Sequence, residues 1–171
     1  MELKLIEREG IPQAVRQVAG AFFSGDTAQA ERHFQGHADG TSTTLLGCLE
    51  GELVGILTIR WEPRYPPFRQ GGIPLIQHIE VRWERRGQGI GGELMEEAER
   101  LIRARGFRRA GICVGLFDAY GPAQRLYARR GYVPDGRGVC RGHDPLHLGD
   151  WVRVDHDLLL WLVKDLDAEP R

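Results

Sequence analysis

The feature that most constrains this chain is a glycine-rich turn between a strand-like run and a long amphipathic segment. Residues 73–81 are rich in apolar side chains, residues 85–92 are rich in glycine, and apolar side chains then recur at helical spacing up to Gly106. Residues 110–116 form the next strand-like run. A strand, a glycine turn, a helix and a second strand in this order favour a mixed sheet with helices on its faces over an all-α or all-β core.

The rest of the sequence alternates strand-like and helix-like segments around this centre. On the N-terminal side we predict a strand at residues 3–6, a helix at 11–22, a short helix from residue 26 or 27 to 37, and a hairpin of strands at 43–49 and 53–61. On the C-terminal side we predict a helix at 120–130, strands at 132–137 and 152–163, and a loop at 138–150. Residues 62–72 hold several prolines and paired glycines, which predicts an irregular loop able to cover a site.

Length and composition bound the class of protein. The 171 residues, 42% hydrophobic and 27% charged, fit a single domain over residues 1–171 with one core. No apolar run approaches the roughly 18 to 20 residues of a membrane span, and the N-terminus is charged where a signal peptide is apolar, so we expect a cytoplasmic protein without a membrane partner. The net charge of −1 argues against a nucleic-acid partner. The sequence leaves open whether the protein forms a homodimer.

Charge is distributed unevenly along the chain. Residues 81–111 contain eight arginines against five glutamates, and Arg125, Arg129 and Arg130 follow, so the middle of the chain could hold an anion. Residues 141–171 contain seven acidic residues against four basic ones, which weakly favours a cationic acceptor. Solvated helix faces are the simpler interpretation of both regions.

The glycine turn fits more than one known pattern. Gly87, Gly89 and Gly92 match the GxGxxG pattern of dinucleotide-binding loops, but the acidic residue expected about 20 positions further on is missing. A Walker loop is excluded because no Gly-Lys-Ser/Thr follows. The pattern Arg86-x-x-Gly89-x-Gly91 would let backbone N–H groups approach a pyrophosphate at a helix N-terminus, whose dipole favours negative charge. A plain turn that joins strand to helix is the alternative.

Two blocks of the sequence resemble the GNAT family of N-acetyltransferases. The first runs from Ile79-Glu80-Val81 through Arg86-Gly87-Gln88-Gly89-Ile90-Gly91 into a helix, as the family's Arg/Gln-x-x-Gly-x-Gly/Ala motif does. The second, Tyr120-Gly-Pro-Ala-Gln-Arg-Leu-Tyr127-Ala-Arg-Arg-Gly-Tyr132, is similar to the family's Asn-x-x-Ala-x-x-Leu-Tyr-x-x-x-Gly-Phe. Residues 1–72 match only in the order of elements. The resemblance implies an α/β (α+β) GNAT-like fold, with a central mixed, mostly antiparallel sheet and helices on both faces.

The resemblance also implies acetyl-CoA as the acyl donor and assigns roles to matching positions. The acetyl group would pass directly to a primary amine of a small molecule or peptide, because a thioester is already activated. Tyr127 would be the general acid that protonates the leaving thiolate. A ring contact from Tyr120, which replaces the family's Asn, would take the place of an amide contact to the pantetheine arm. The cofactor-binding residues would be Ile79, Val81, Arg86, Gly87, Gln88, Gly89, Ile90, Gly91, Gly92, Tyr120 and Ala123.

The general base has three candidates. Glu80 alternates in direction with Ile79 and Val81, so if those two residues face the core, its carboxylate points to the opposite face, where it could take an amine proton. Asp118 follows the strand at 110–116 and could serve as base or bind the ammonium group. His78 could serve in the same way. We rank Glu80 first.

Other classes of function receive less support. The pairs His33/His37 and His143/His147 have i, i+4 spacing but lack the HExxH glutamate, and Cys48, Cys113 and Cys140 lie far apart, so no metal site or disulfide is predicted. A nicotinamide-dependent oxidoreductase depends on the GxGxxG match alone. A non-catalytic acyl-CoA-binding sensor or scaffold is the main alternative, since it would keep the phosphate loop without needing Tyr127.

Overall fold

One open sheet of eight strands organises the protein, whose computed structural model describes residues 1–6 and 8–167. The strands are β1 (Glu2–Leu5), β2 (Ser42–Leu49), β3 (Glu52–Arg60), β4 (Leu75–Val81), β5 (Arg109–Gly115), β6 (Val133–Arg141), β7 (Asp144–Pro145) and β8 (Leu158–Asp165). They lie in the order β1-β2-β3-β4-β5-β8-β6-β7. Among these strands only β4 and β5 pair in parallel, so the sheet is mixed and mostly antiparallel, as predicted.

Helices cover both faces of this sheet. Those of the described residues are α1 (Ile11–Phe22), α2 (Thr27–Glu31), α3 (Pro66–Gln70), α4 (Ile90–Ala104) and α5 (Gly121–Arg129). Leu94 of α4 packs in one cluster with Leu45, whereas Val18 of α1 packs in another with Leu46. Because successive strand residues point to opposite faces, α1 and α4 lie on opposite sides of the sheet. The predicted fold class is confirmed. No described helix is long and apolar enough to cross a membrane.

The helix predicted after residue 26 ends early. Asp26 caps α2 by accepting the Gln29 N–H at 2.9 Å, and α2 stops at Glu31. The chain then continues as a 3₁₀ turn, Arg32–Phe34, which lies on the α1 side of the sheet. His33, in the middle of this turn, is buried.

Residues 62–72 do not form the irregular loop predicted from their prolines and glycines. They contain α3, whose Phe68 is buried together with Tyr65. Tyr65 stacks on Trp161 with 3.9 Å between ring centroids, and a Cβ atom at Gly111 would collide with the Phe68 ring. Proline is compatible with the first turn of a helix, and aromatic packing against distant parts of the chain supplies the burial that local sequence cannot show.

The bounds of the C-terminal strands also differ from the predicted ones. The loop predicted at 138–150 contains the end of β6 and all of β7, and residues 152–157 precede β8 instead of belonging to it. Arg141 at the end of β6 forms an ion pair with Asp155 of this segment at 2.8 Å. The apolar side chains of that segment suggested a strand, but Val154 is exposed. The acidic stretch noted at 141–171 is described up to Asp167.

Candidate active site

The two central strands separate near the middle of the sheet. β4 and β5 pair at Leu75↔Gly111 and Ile76↔Ile112, and in the described part of the chain their ladder goes no further although both strands continue. β4 stays in the sheet through β3, with which it remains paired up to Gly55↔Val81. The Gln124 amide of α5 donates to the Gly115 carbonyl oxygen at 2.8 Å, which fixes α5 beside the end of β5. A cleft therefore opens between two strands held apart by their other neighbours.

A bulge in β4 turns side chains of this strand toward the α1 side. Between Gln77 and Glu80 the strand takes three residue steps against two on β3, and His78 has a φ of 53°. A left-handed conformation at a non-glycine residue costs of the order of 1 kcal/mol or more and is concentrated at functional sites. Ile79 and Val81 pack with the α4 cluster, whereas Glu80 faces the opposite side.

The glycine turn presents backbone donors at the start of α4. Gly87 and Gly89 have φ values of 75° and 86°, conformations that glycine adopts without a Cβ penalty. Among the described residues, no backbone or side-chain acceptor receives the N–H groups of residues 87–91. The helix dipole adds positive potential at the same place. The turn has the properties of a phosphate-binding loop.

The predicted loop residues Arg86, Gly87, Gln88, Gly89, Ile90, Gly91 and Gly92 lie together in this turn and the first residues of α4. Arg86 is exposed, and its Nε donates to the Val81 carbonyl oxygen at 3.1 Å, which links the loop to the end of β4. Gln88 donates to the Glu84 carbonyl oxygen at 3.4 Å. Ile90 is buried and anchors the helix start against the sheet, where a Cβ atom at Gly55 would lie 3.0 Å from it.

The face of α5 supplies the second wall of the cleft. Tyr127 is 7% exposed, and burial raises its pKa well above the usual range, so the phenol keeps its proton at neutral pH. Ala123 is half-buried and packs against the same cluster as Tyr127. The Tyr120 ring lies on β5, since a Cβ atom at Gly115 would be 2.5 Å from it. The Tyr120 hydroxyl is 3.3 Å from His156 Nδ1.

Sequence reasoning missed two residues at this end of β5. His156 comes from the segment before β8, and nothing local marks it as a neighbour of Tyr120. Gln124 occupies a position that the motif leaves unspecified, yet it joins α5 to β5. Asp118, the second base candidate, is exposed and accepts the Ala119 N–H at 2.8 Å, which is a local turn contact.

Glu80 lies beside two histidines on the α1 side. Its pKa is raised by burial, an effect that the charge of Arg86 partly opposes. His33 Nε2 is 3.8 Å from Glu80 Oε1, and the His33 and His78 ring centroids are 4.5 Å apart. Within residues 1–6 and 8–167, no group of three or more His, Cys, Asp and Glu side chains is placed to hold a metal ion. A carboxylate with a raised pKa next to a neutral ring can accept a proton from an amine.

A groove among the described residues lies away from this cleft. It has a volume of about 1130 Å³ and runs along the outer side of α4 and α5, where Arg100, Arg129 and Lys164 line it. Glu80 and Tyr127 do not line it. The separation of β4 and β5, and not the volume of a groove, marks the candidate site.

Comparisons with known proteins agree with this fold. The sequence matches the model of the acetyltransferase (GNAT) family over residues 13–132. The fold is similar to that of aminoglycoside 6'-acetyltransferase type Ii, with a TM-score of 0.68 and 17% identity over 99% of this chain and 100% of that chain. A ribosomal-protein-alanine N-acetyltransferase from Brucella melitensis has a TM-score of 0.65 and 16% identity over 96% and 99% of the two chains.

A third similar structure is an aminoglycoside 6'-N-acetyltransferase in complex with coenzyme A, with a TM-score of 0.64 and 15% identity over the full length of both chains. Identities this low show a shared fold only. A search of curated proteins by sequence found no significant match.

Proposed function

Because the chain belongs to the GNAT acetyltransferase family, we propose that it is a single-domain N-acetyltransferase acting on a primary amine of a small molecule or peptide. The observation that carries this proposal is the cleft between β4 and β5, with the glycine turn at the start of α4, Tyr127 on the α4 side of the sheet and Glu80 on the α1 side. The family's acyl donor is acetyl-CoA, which supplies an activated thioester. A cytoplasmic location and a homodimer stay predictions.

The residues present fit this donor. Five consecutive N–H groups without a described acceptor, at residues 87–91, would bind the pyrophosphate, and Arg86 adds a positive charge. The backbone of Ile79 and Val81, on the strand that leaves β5, would bind the pantetheine amides and the acetyl carbonyl oxygen. Tyr120 and Ala123 would contact the pantetheine arm from α5.

The chemistry is divided between the two faces of the sheet. Glu80 would take a proton from the acceptor's ammonium group, and the amine nitrogen would then form a bond to the acetyl carbonyl carbon. As the carbon–sulfur bond breaks, the Tyr127 hydroxyl would give its proton to the departing sulfur. The nitrogen would lose its second proton to water, and the Tyr127 phenolate would regain a proton from water. Tyr127 carries its proton at neutral pH, and the raised pKa of Glu80 makes its carboxylate a stronger base than a fully exposed one.

The acceptor class is tested with a panel of amines. Two of the similar structures are named for aminoglycoside acetylation and one for a ribosomal-protein alanine, so the panel contains aminoglycosides, polyamines and peptide N-termini. Coenzyme A release would be followed for the wild type and for Tyr127→Phe, which keeps the ring and removes the proton. We expect kcat to fall about 10²–10⁴-fold while acetyl-CoA affinity changes little.

Two outcomes would count against this function. If Tyr127→Phe turned over the best acceptor at the wild-type rate, Tyr127 would have no part in the mechanism. If acetyl-CoA bound but the wild type released coenzyme A with no amine of the panel, a binding module without catalysis would replace the enzyme.

A further inference from the structure

A buried imidazole lies against the carboxylate proposed as the base. His33 is 5% exposed, and its ring is in contact with His78 on one side and Phe23 on the other, with centroid distances of 4.5 and 5.2 Å. Its Nε2 is 3.8 Å from Glu80 Oε1. Building on the function proposed above, we propose that His33 is a positioning residue that donates its Nε2–H to Glu80 and orients the carboxylate toward the acceptor amine.

The backbone of His33 is held in place by two buried hydroxyl groups. The His33 carbonyl oxygen lies 3.2 Å from Thr44 Oγ1 and 3.3 Å from Thr58 Oγ1, and these two oxygens are 2.8 Å apart. Both threonines are completely buried and face each other on β2 and β3. Burying hydroxyls is costly unless they are hydrogen-bonded, and here their bonds fix the turn that carries His33. The imidazole is therefore placed by the sheet itself.

The surroundings of the ring indicate which nitrogen carries the proton. His33 Nδ1 is buried and has no hydrogen-bond partner among the described residues, whereas Nε2 faces Glu80. A neutral imidazole has one N–H, and a buried donor without a partner is rarer than a buried acceptor without one. The Nε2–H form leaves only an acceptor unpaired at Nδ1. It also points the donor at Glu80.

Charge assigns different roles to His33 and Glu80. Burial, followed by the charges of His78 and Arg32, lowers the pKa of His33 to about 4, so the ring is neutral at neutral pH and does not hold the amine's proton. Glu80, whose pKa is raised, remains the base. The other charged and titratable groups around the pair are Arg60 beside His78, Arg86 beside Glu80, and Tyr120, whose pKa responds to the Glu80 charge.

The present separation is longer than a hydrogen bond, and the contact would shorten when the acceptor binds. Catalytic hydrogen bonds are often long in unliganded proteins and tighten in the complex. An oriented carboxylate has one oxygen facing His33 and leaves the other for the amine. Misplacing a reacting group by about 1 Å can cost about 10²-fold in rate, so orientation is a sufficient role.

The tautomer can be measured directly on the wild-type protein. Nitrogen-15 NMR of the labelled imidazoles should show His33 as the neutral Nε2–H form at neutral pH. Carbon-13 NMR of the complex with the best amine, in which the contact is short, should show a Glu80 pKa that is higher by about 0.5 or more in His33→Phe, because a donor to the carboxylate is lost, and close to the wild-type value in His33→Gln. An Nδ1–H or cationic ring in the wild type, or an unchanged Glu80 pKa in this complex of a folded His33→Phe protein, would overturn the proposal.

Kinetics on the best amine supply a second readout. His33→Phe should lower kcat about tenfold or more with acetyl-CoA affinity unchanged, and His33→Gln, which keeps a donor, should recover most of the loss. His37→Gln is the matched control, since His37 is half-buried just after the same turn and hydrogen-bonds the Phe34 carbonyl oxygen instead of facing Glu80. Wild-type turnover by His33→Phe would overturn the role of His33 alone. A wild type that acetylates no amine would instead overturn the proposed function, and NMR would still decide the His33–Glu80 contact.

Discussion

Tyr120 shows how one residue changes the cleft. The family's second block has Asn at this position, and the structure places an aromatic ring there, lying on the backbone of Gly115. Any side chain at Gly115 would collide with that ring, so the two residues depend on each other. The polar contact between α5 and β5 is made instead by Gln124, which donates to the Gly115 carbonyl oxygen. Tyr120 therefore places a ring at the cleft, and Gln124 makes the polar contact between α5 and β5.

Gly89 is the residue on which phosphate binding should depend most. Its φ of 86° lies in the left-handed region, so Gly89→Val introduces backbone strain. No other atom lies within 4 Å of a Cβ built there, so the valine side chain would occupy the open space through which a pyrophosphate would approach. We expect coenzyme A binding to become undetectable by calorimetry while the protein stays folded by circular dichroism.

Gly106 provides a control for the strain itself. It ends α4 with a φ of 85° and equally open surroundings, but it lies at the other end of the helix from the loop. Gly106→Val should lower the free energy of unfolding by a similar amount, about 1–2 kcal/mol, and leave coenzyme A affinity unchanged. Unchanged affinity in a folded Gly89→Val protein would mean that the loop is only a turn.

At the scale of elements, a buried carboxylate connects the helices of the cleft to the sheet. Glu99 of α4 accepts hydrogen bonds from Arg130, just after α5, at 3.0 Å and from Lys164 of β8 at 2.8 Å. Burial raises the pKa of Glu99, but these two donors outweigh it and leave the pKa below its ordinary value. The network fixes the end of the helix that carries Tyr127.

Glu99→Gln should therefore destabilise the protein by about 2 kcal/mol, because two cations lose their counter-charge where water has little access. For a chain of this length the loss corresponds to roughly 4–8 °C in Tm. Glu97→Gln is the control, since its ion pair with Arg100 is on the surface, where solvent screens it, and its loss should lower Tm less. Thermal melts of both variants measure the two changes in Tm. Equal decreases in Tm would show that the buried network stabilises the protein no more than a surface ion pair does.

At the scale of the whole molecule, acid should lower stability between pH 6.5 and about 4. The pKa of His33 falls from 6.5 in the unfolded chain to about 4 in the folded protein. Between those values the unfolded chain holds more protons, so the free energy of unfolding decreases as pH falls. The full effect of His33 is roughly 3 kcal/mol. The raised pKa of Glu80 acts in the opposite direction and offsets part of it.

Urea unfolding at about pH 7 and about pH 4.5 would measure this loss. His33→Gln cannot titrate, so it should lose clearly less stability on acidification than the wild type. His147→Gln removes an exposed histidine and should follow the wild type. Equal acid losses for the wild type and His33→Gln would show that His33 is not held neutral by the fold.

The sequence was enough to predict the order of the main strands and helices, the glycine turn and the two motif blocks, because each depends on residues close together in the chain. It did not predict α3 or β7. The period of apolar residues predicted α1 and α4, and the glycine-rich run before a helix predicted the turn in which Gly87 and Gly89 have positive φ. Phosphate binding by this turn stays a prediction. The placement of Glu80 opposite Ile79 and Val81 followed from the alternation of a strand. The catalytic roles of Tyr127 and Glu80 stay predictions.

Only the tertiary structure decided the contacts between distant segments. The burial of α3 depends on Trp161 and Gly111, the surroundings of Tyr120 on His156, and those of Glu80 on His33. Neither periodicity nor turn composition carries information about such pairs, because side chains far apart in sequence meet only when the sheet order brings their strands and loops together. The cleft has the same origin, since β4 and β5 separate where each is held by a different neighbour.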